Sequence, residues 1–301
     1  MKILNFGSLN CDNVYTVPHM VKAGETLSSA SLEIFPGGKG LNQSIALARA
    51  GAQVCHAGLI GEDGRFLVKL AEENGVDCSL VELRPGRTGH AVIQVDPSGQ
   101  NCILLYGGAN QLVDEAYIRR ALAGFGPGDL LLLQNEMNLP ERMIDLAWEM
   151  GLTVALNPSP CSAALAKCDF RKVEWLILNE LEGAALSGEP DVKKLPKAIL
   201  QRFPHMKVVL TLGANGARYA DSERQFFQPA FSVKAVDTTG AGDTFTGFFL
   251  AAVLEGKEVP EALLLASRAA ALAVSRKGAA SSIPARAEVD GGGGTRGYDA
   301  F

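Results

Sequence analysis

The chain is built on short, unbroken apolar runs separated by segments of helical length. Lys2–Gly7, Val54–Ile60, Leu130–Gln134, Thr153–Leu156, Trp175–Leu178 and Val208–Leu212 read as strands bounded by turn residues, while Leu41–Ala50 and Phe66–Asn74 read as helices. In a strand, successive side chains point to opposite faces, so a run such as Leu-Leu-Leu-Leu at 130–133 has to be covered on both sides. Continuous apolar strands alternating with helices predict a doubly wound, mostly parallel sheet flanked by helices, the α/β class. With 301 residues, 47% of them hydrophobic, the chain can bury one large core, and a single domain over 1–290 is expected.

Two regions break the alternation. Thr26–Phe35 and His90–Tyr106 are strand-rich with no helix between, and Asp96-Pro97-Ser98-Gly99 is a good hairpin turn. They predict a small β-sheet lid drawn from about 11–36 and 88–107. The pattern of its strands does not by itself demand a dimer. Helices are expected again at Ala241–Leu254 and Pro260–Ser275, the second opened by a proline. The Gly-rich stretch 291–301 has no apolar periodicity and reads as a flexible tail.

A formal net charge of -5 and no Lys/Arg-rich run exclude nucleic acid as a main partner. No apolar stretch approaches the roughly 20 residues of a membrane span. Met1–Gly7 is too short for a signal peptide, so a cytoplasmic location and no membrane partner are expected. The six cysteines and four histidines form no CxxC or HxxxH, which leaves reduced thiols and no zinc site as the reading.

Two glycine-rich segments carry chemistry. Asp237-Thr238-Thr239-Gly240-Ala241-Gly242-Asp243-Thr244-Phe245 turns tightly and opens a helix, so unpaired N–H groups and the positive dipole end face the turn. That suits an anion, and Asp243 in the first turn could take a proton from an attacking hydroxyl; Asp243 and Thr239 could equally be ordinary caps. Gly37-Gly38-Lys39-Gly40-Leu41-Asn42-Gln43 also opens a helix, as a phosphate loop or simply a tight turn. Neither segment is a Walker A loop, and Phe245 stands where a dinucleotide fingerprint needs its third glycine.

With Gly7-Ser8-Leu9-Asn10-Cys11-Asp12, Gly24-Glu25-Thr26, Gly107-Gly108-Ala109-Asn110, Asn179-Glu180-Leu181-Glu182 and Thr211-Leu212-Gly213, these segments form an ordered set. On them the chain resembles the ribokinase branch of the PfkB carbohydrate kinase family, from Lys2 to about Val289. The resemblance implies a homodimer joined through the lid and a sugar held by Asn10, Asp12, Gly38, Lys39, Asn42 and Glu136. It places ATP and the water shell of its Mg²⁺ near Asn179 and Glu182, with Thr211, Gly213 and Gly216 beneath the phosphates and ribose. Ser267 stands near the adenine or ribose, where family members commonly carry histidine or asparagine. Gly240, Ala241 and Gly242 would form the anion hole, with Asp243 as base. A K⁺ site would use Asp237, Thr239, Ala273, Arg276, Gly278 and Ser282.

The reaction implied is in-line transfer of the ATP γ-phosphoryl to the 5-hydroxyl of D-ribose. Deoxyribose, fructose and adenosine are rival acceptors, although no aromatic group stands ready to stack a base. A non-catalytic sugar sensor is disfavoured by the intact Asp243. A nicotinamide-dependent dehydrogenase lacks GxGxxG after the first strand, where Gly7-Ser8-Leu9-Asn10 stands.

Overall fold

Alternate residues of each apolar run enter two different cores. Ile3, Leu130 and Leu132 pack on one face of a sheet and Leu4, Leu131 and Leu133 on the other. The structure is a computed structural model describing residues 1–291; the tail expected beyond Gly291 lies outside the described residues.

The strands are β1 (Ile3–Phe6), β2 (Asn10–Thr16), β3 (Ser31–Gly37), β4 (Val54–Ile60), β5 (Asp77–Leu83), β6 (Gly89–Val95) and β7 (Asn101–Tyr106). They continue with β8 (Leu130–Gln134), β9 (Thr153–Asn157), β10 (Trp175–Asn179), β11 (Lys207–Thr211), β12 (Ala217–Ala220) and β13 (Gln225–Gln228). The helices are α1 (Lys39–Arg49), α2 (Arg65–Glu73), α3 (Glu115–Leu122), α4 (Pro140–Glu149) and α5 (Glu180–Ser187). After them come α6 (Leu195–Arg202), α7 (Ala241–Leu254), α8 (Val259–Val274) and α9 (Arg286–Gly291).

Among the described residues the main sheet runs β13-β12-β11-β10-β9-β8-β1-β4-β5, parallel from β11 to β5 and antiparallel at β12 and β13. One face is covered by α1, α2, α7, α8 and α9, the other by α3, α4 and α6. This is the doubly wound fold the sequence predicts. Strand order reverses beside β1: the chain proceeds outward to β4 and β5, then returns to β8 on the other side. Open α/β sheets place ligands at such a switch, outside the carboxyl ends of the strands.

The second sheet runs β3-β2-β6-β7, with β2 and β6 parallel and the outer pairs antiparallel. The expected strand over Thr26–Phe35 is displaced to Ser31–Gly37. The pairing of β2 with β3 ends at Thr16 opposite Ser31, so residues 26–30 have no partner strand. Leu104, 70% exposed, lies with Leu32, Ile34, Ile103 and Leu105 on strands that leave much apolar surface uncovered, more than the sequence pattern suggests.

Candidate functional site

Two helices begin at the strand switch. Gly40, in the first turn of α1, packs so closely on the end of β1 that a Cβ there would lie 2.3 Å from the Ser8 nitrogen. This start is closed by the protein itself. Lys39 N–H donates to Glu136 Oε2 at 2.9 Å, Gly40 N–H to Ser8 Oγ at 3.2 Å, and Leu41 N–H to the Ser8 carbonyl at 2.9 Å. Ser8 Oγ in turn donates to Glu136.

The α7 start is different. Gly240 caps it in the left-handed region, at φ 74°, and no side chain caps the helix. Ala241 N–H reaches the Thr238 carbonyl at 3.3 Å, and Thr244 N–H bonds to the Gly240 carbonyl at 2.8 Å. Between them, the N–H groups of Gly242 and Asp243 have no acceptor among the described residues. Both residues line a cavity of about 210 Å³. Paired elsewhere and free here, these donors and the helix dipole make the α7 start the place where an anion can sit.

The same cavity is lined by Lys39, Asn179, Glu182, Thr211 and Gly240, so the structure gathers seven foreseen residues at one opening. Asp243, largely buried, accepts from Asn42 Nδ2 at 3.0 Å through Oδ2 and from Gln43 Nε2 at 2.8 Å through Oδ1. Burial works against the Lys39 ammonium, but Asp243, Glu136 and Glu182 together outweigh it and hold the group above its ordinary pKa. Burial also pushes the Glu136 carboxyl up, opposed by Ser8 and Lys39. It raises Asp12 to about 6, helped by the charge of Glu136. Asn10 Oδ1 accepts from Asn110 Nδ2 at 2.8 Å, tying the start of β2 to the residues following β7.

A profile described as pfkB family carbohydrate kinase matches residues 1–286. A ribokinase of Haemophilus influenzae is 37% identical over 291 residues, covering 94% of this chain and 95% of the relative. A deoxyribokinase of Salmonella typhi is 31% identical over 94% of this chain and 96% of its own length. The Arabidopsis thaliana ribokinase, solved with ribose and ATP, superposes with a TM-score of 0.87 at 29% identity, over 96% of this chain and 97% of that one. This chain belongs to the pfkB carbohydrate kinase family. It is a sugar kinase.

In this sugar kinase the residues foreseen for the nucleotide divide into two groups. Asn179 and Glu182 form a capping box at the start of α5: Asn179 Oδ1 accepts from Glu182 N–H at 2.9 Å and Glu182 Oε2 from Asn179 N–H at 3.0 Å. Both line the cavity, and the Glu182 carboxylate takes its bond from Asn179 through Oε2. Gly213, Gly216 and Ser267 are not among its lining residues. Gly213 and Gly216 shape the turn after β11, and Ser267 is buried on α8.

Of the six residues foreseen for a cation, three are joined directly. Asp237 Oδ1 accepts from Thr239 N–H at 2.9 Å and Thr239 Oγ1 at 2.6 Å, and Oδ2 accepts from Gly278 N–H at 2.9 Å. Burial opposes the Asp237 charge, but these bonds prevail and lower its pKa. The carbonyl of Ala273 takes the Arg276 N–H at 3.0 Å, the Arg276 side chain pairs with Glu288 at 2.5 Å, and Ser282 Oγ donates to Ala279 at 2.8 Å.

Sequence reasoning missed Ser8 as a functional group, Gln43 as a partner of Asp243, and Asn157, Ser159, Thr238 and Thr246 as cavity lining. Ser8 and Gln43 lay inside motifs already singled out. Asn157, at the carboxyl end of a foreseen strand, was open to the strand-end rule.

Proposed function

We propose that this chain transfers the γ-phosphoryl group of ATP to O5 of D-ribose, with Asp243 as general base. The observation that carries the reading is the pair of open N–H groups, Gly242 and Asp243, beside the Asp243 carboxylate in a cavity that also holds Lys39. A hydroxyl bonded to Asp243 passes its proton to that carboxylate as O5 bonds to phosphorus. The bond from phosphorus to the bridging oxygen breaks in line, and ADP leaves. Charge on the transferred group meets the α7 amides and the Lys39 ammonium, fixed donors that need no reorganisation.

Asn10, Asp12, Gly38, Lys39, Asn42 and Glu136 hold the sugar in this reading. Asn42 Oδ1 supports it, being a buried acceptor with no partner among the described residues. Such a group discriminates, because a sugar lacking the matching hydroxyl leaves it unpaired. On the donor side Thr211, Gly213, Gly216 and Ser267 flank the nucleotide. Asn179 and Glu182 would hold the water shell of Mg²⁺, which neutralises phosphate charge. The hard-oxygen set at Asp237, Thr239 and the carbonyls of Ala273, Arg276, Gly278 and Ser282 suits K⁺, whose charge would steady the loop before α7. The small sheet closes over the sugar as a lid, and its apolar strands favour a homodimer through that sheet. Unpaired thiols fit a reducing, cytoplasmic setting. No helix among the described residues is long and apolar enough to cross a membrane.

The deoxyribokinase relative keeps deoxyribose as the second acceptor. ADP release with Mg·ATP and K⁺ across D-ribose, 2-deoxyribose, fructose and adenosine tests the reading. A strong preference for ribose is expected. Preference for another acceptor would overturn the sugar assignment while leaving Asp243 in place, and silence with all four in folded protein would bring the non-catalytic sugar-sensor reading to the front.

A further inference from the structure

Behind Asp243 lies a chain of buried amides that the sequence reading did not assign. Gln43 Nε2 donates one hydrogen to Asp243 Oδ1 at 2.8 Å and the other to Asn157 Oδ1 at 3.0 Å. Gln43 Oε1 accepts from Gln134 Nε2 at 2.7 Å, whose second hydrogen goes to Asn5 Oδ1 at 2.9 Å. Asn5 Nδ2 donates to the Gly40 carbonyl and to Ser44 Oγ, both at 2.7 Å. Ser44 Oγ meets His56 Nδ1 at 2.7 Å, and His56 Nε2 meets the Gly7 carbonyl at 3.1 Å. Asn5, Gln43, Ser44 and His56 are each fully shielded from solvent.

The direction of every donor follows from the partners. A carbonyl only accepts, so His56 Nε2 carries the proton and Nδ1 accepts from Ser44. Burial, against the pull of the Gly7 carbonyl, drives His56 down to about 4, which keeps the ring neutral. At the other end, Asn157 Nδ2 donates to the Ile177 carbonyl at 2.8 Å, so its oxygen has to face Gln43. A turned Gln43 amide would set oxygen against two acceptors and NH₂ against the Gln134 NH₂. The amide therefore has one orientation, and that orientation aims a donor at Asp243.

We infer that Gln43 is a positioning residue for the phosphoryl-transfer step, holding the Asp243 carboxylate in one rotamer through a buried amide chain anchored on β1, β4, β8 and β9. This rests on the proposed role of Asp243 as base. A carboxylate in the first turn of a helix rotates freely about its last bond unless both oxygens are held. Here adjacent residues of α1, Asn42 and Gln43, each hold one oxygen. The charged groups acting on Asp243, Lys39 and Glu136, stay in place when Gln43 is changed.

The test compares Gln43→Met, Gln43→Glu and Asp243→Asn, with circular dichroism and thermal melting to confirm folding. Gln43→Met is expected to lower kcat about 10–100-fold with the sugar and ATP KM values within about threefold, the signature of a misaimed base. Gln43→Glu keeps the shape and covers the case in which the methionine variant fails to fold. Its introduced carboxyl repels Asp243 when ionised and donates to it when protonated, so its kcat relative to wild type should climb as pH falls. Loss in Asp243→Asn together with wild-type kcat, within about twofold, and a parallel pH profile in Gln43→Glu would overturn the inference. So would a Gln43→Met loss carried by KM alone. Near-normal turnover in Asp243→Asn would instead overturn the base assignment on which it rests.

Discussion

The chain opens two helices at the same edge of the sheet with nearly the same sequence device, glycine-x-glycine, and uses them in opposite ways. At α1 the donors of Lys39, Gly40 and Leu41 are all taken, by Glu136 and by the side chain and carbonyl of Ser8. At α7 the donors of Gly242 and Asp243 have no acceptor among the described residues, and both residues line the cavity. The glycines permit the turn in both cases. Whether a protein acceptor stands opposite decides which start is closed scaffold and which is left open to an anion.

That contrast can be broken at either end. Asp243→Asn at α7 should have the largest effect, lowering kcat by about 10²–10⁴-fold with sugar KM little changed in steady-state assays. Gly242→Ala comes next. A Cβ there meets nothing within 4 Å, so the fold tolerates it, but it intrudes on the space where phosphate would approach. Activity should fall about 10–100-fold while the melting temperature holds or rises. At α1 the order of effects reverses. Ser8→Ala strands the Gly40 N–H and leaves Glu136 Oε2 with the Lys39 N–H alone, and chemical denaturation should show a loss of about 1–3 kcal/mol. The smallest effect concerns pH. With Asp12 raised to about 6, the folded protein holds a proton there that the unfolded chain releases, so this group costs the ligand-free protein stability as pH rises from about 4 to 6. The ionised form is the better acceptor for a sugar hydroxyl. Sugar KM should therefore increase as pH drops through about 6, with kcat less affected.

Much of this architecture is legible in the sequence wherever one physical demand dominates. Leu130–Leu133 had to be covered on both faces, and its alternate residues do enter two cores. The half-exposed edge strands β5 and β13 were not legible, because a run such as Gln225-Phe226-Phe227-Gln228 carries no comparable demand. Both glycine-rich helix starts stood out in the sequence, yet nothing local distinguished the closed one from the open one. The decisive acceptor, Glu136, lies 97 residues from Lys39. Gln43 escaped notice for the same reason, being 200 residues from Asp243. The apolar surface of the small sheet was underrated because β7, Asn101–Tyr106, is exposed along its whole length, whereas period-2 reasoning looks for one apolar face.

The most direct test of the contrast reads the amides themselves. In ¹⁵N-labelled protein, the Gly242 and Asp243 signals would be compared with those of Lys39 and Gly40 before and after adding Mg·ADP, ribose and aluminium fluoride, a mimic of the transferred phosphoryl group. The Gly242 and Asp243 protons should move downfield as they gain an acceptor, while those of Lys39 and Gly40, already bonded, hold nearly still. Movement at Lys39 and Gly40 with the α7 amides unchanged would contradict the account and place the anion at the other helix.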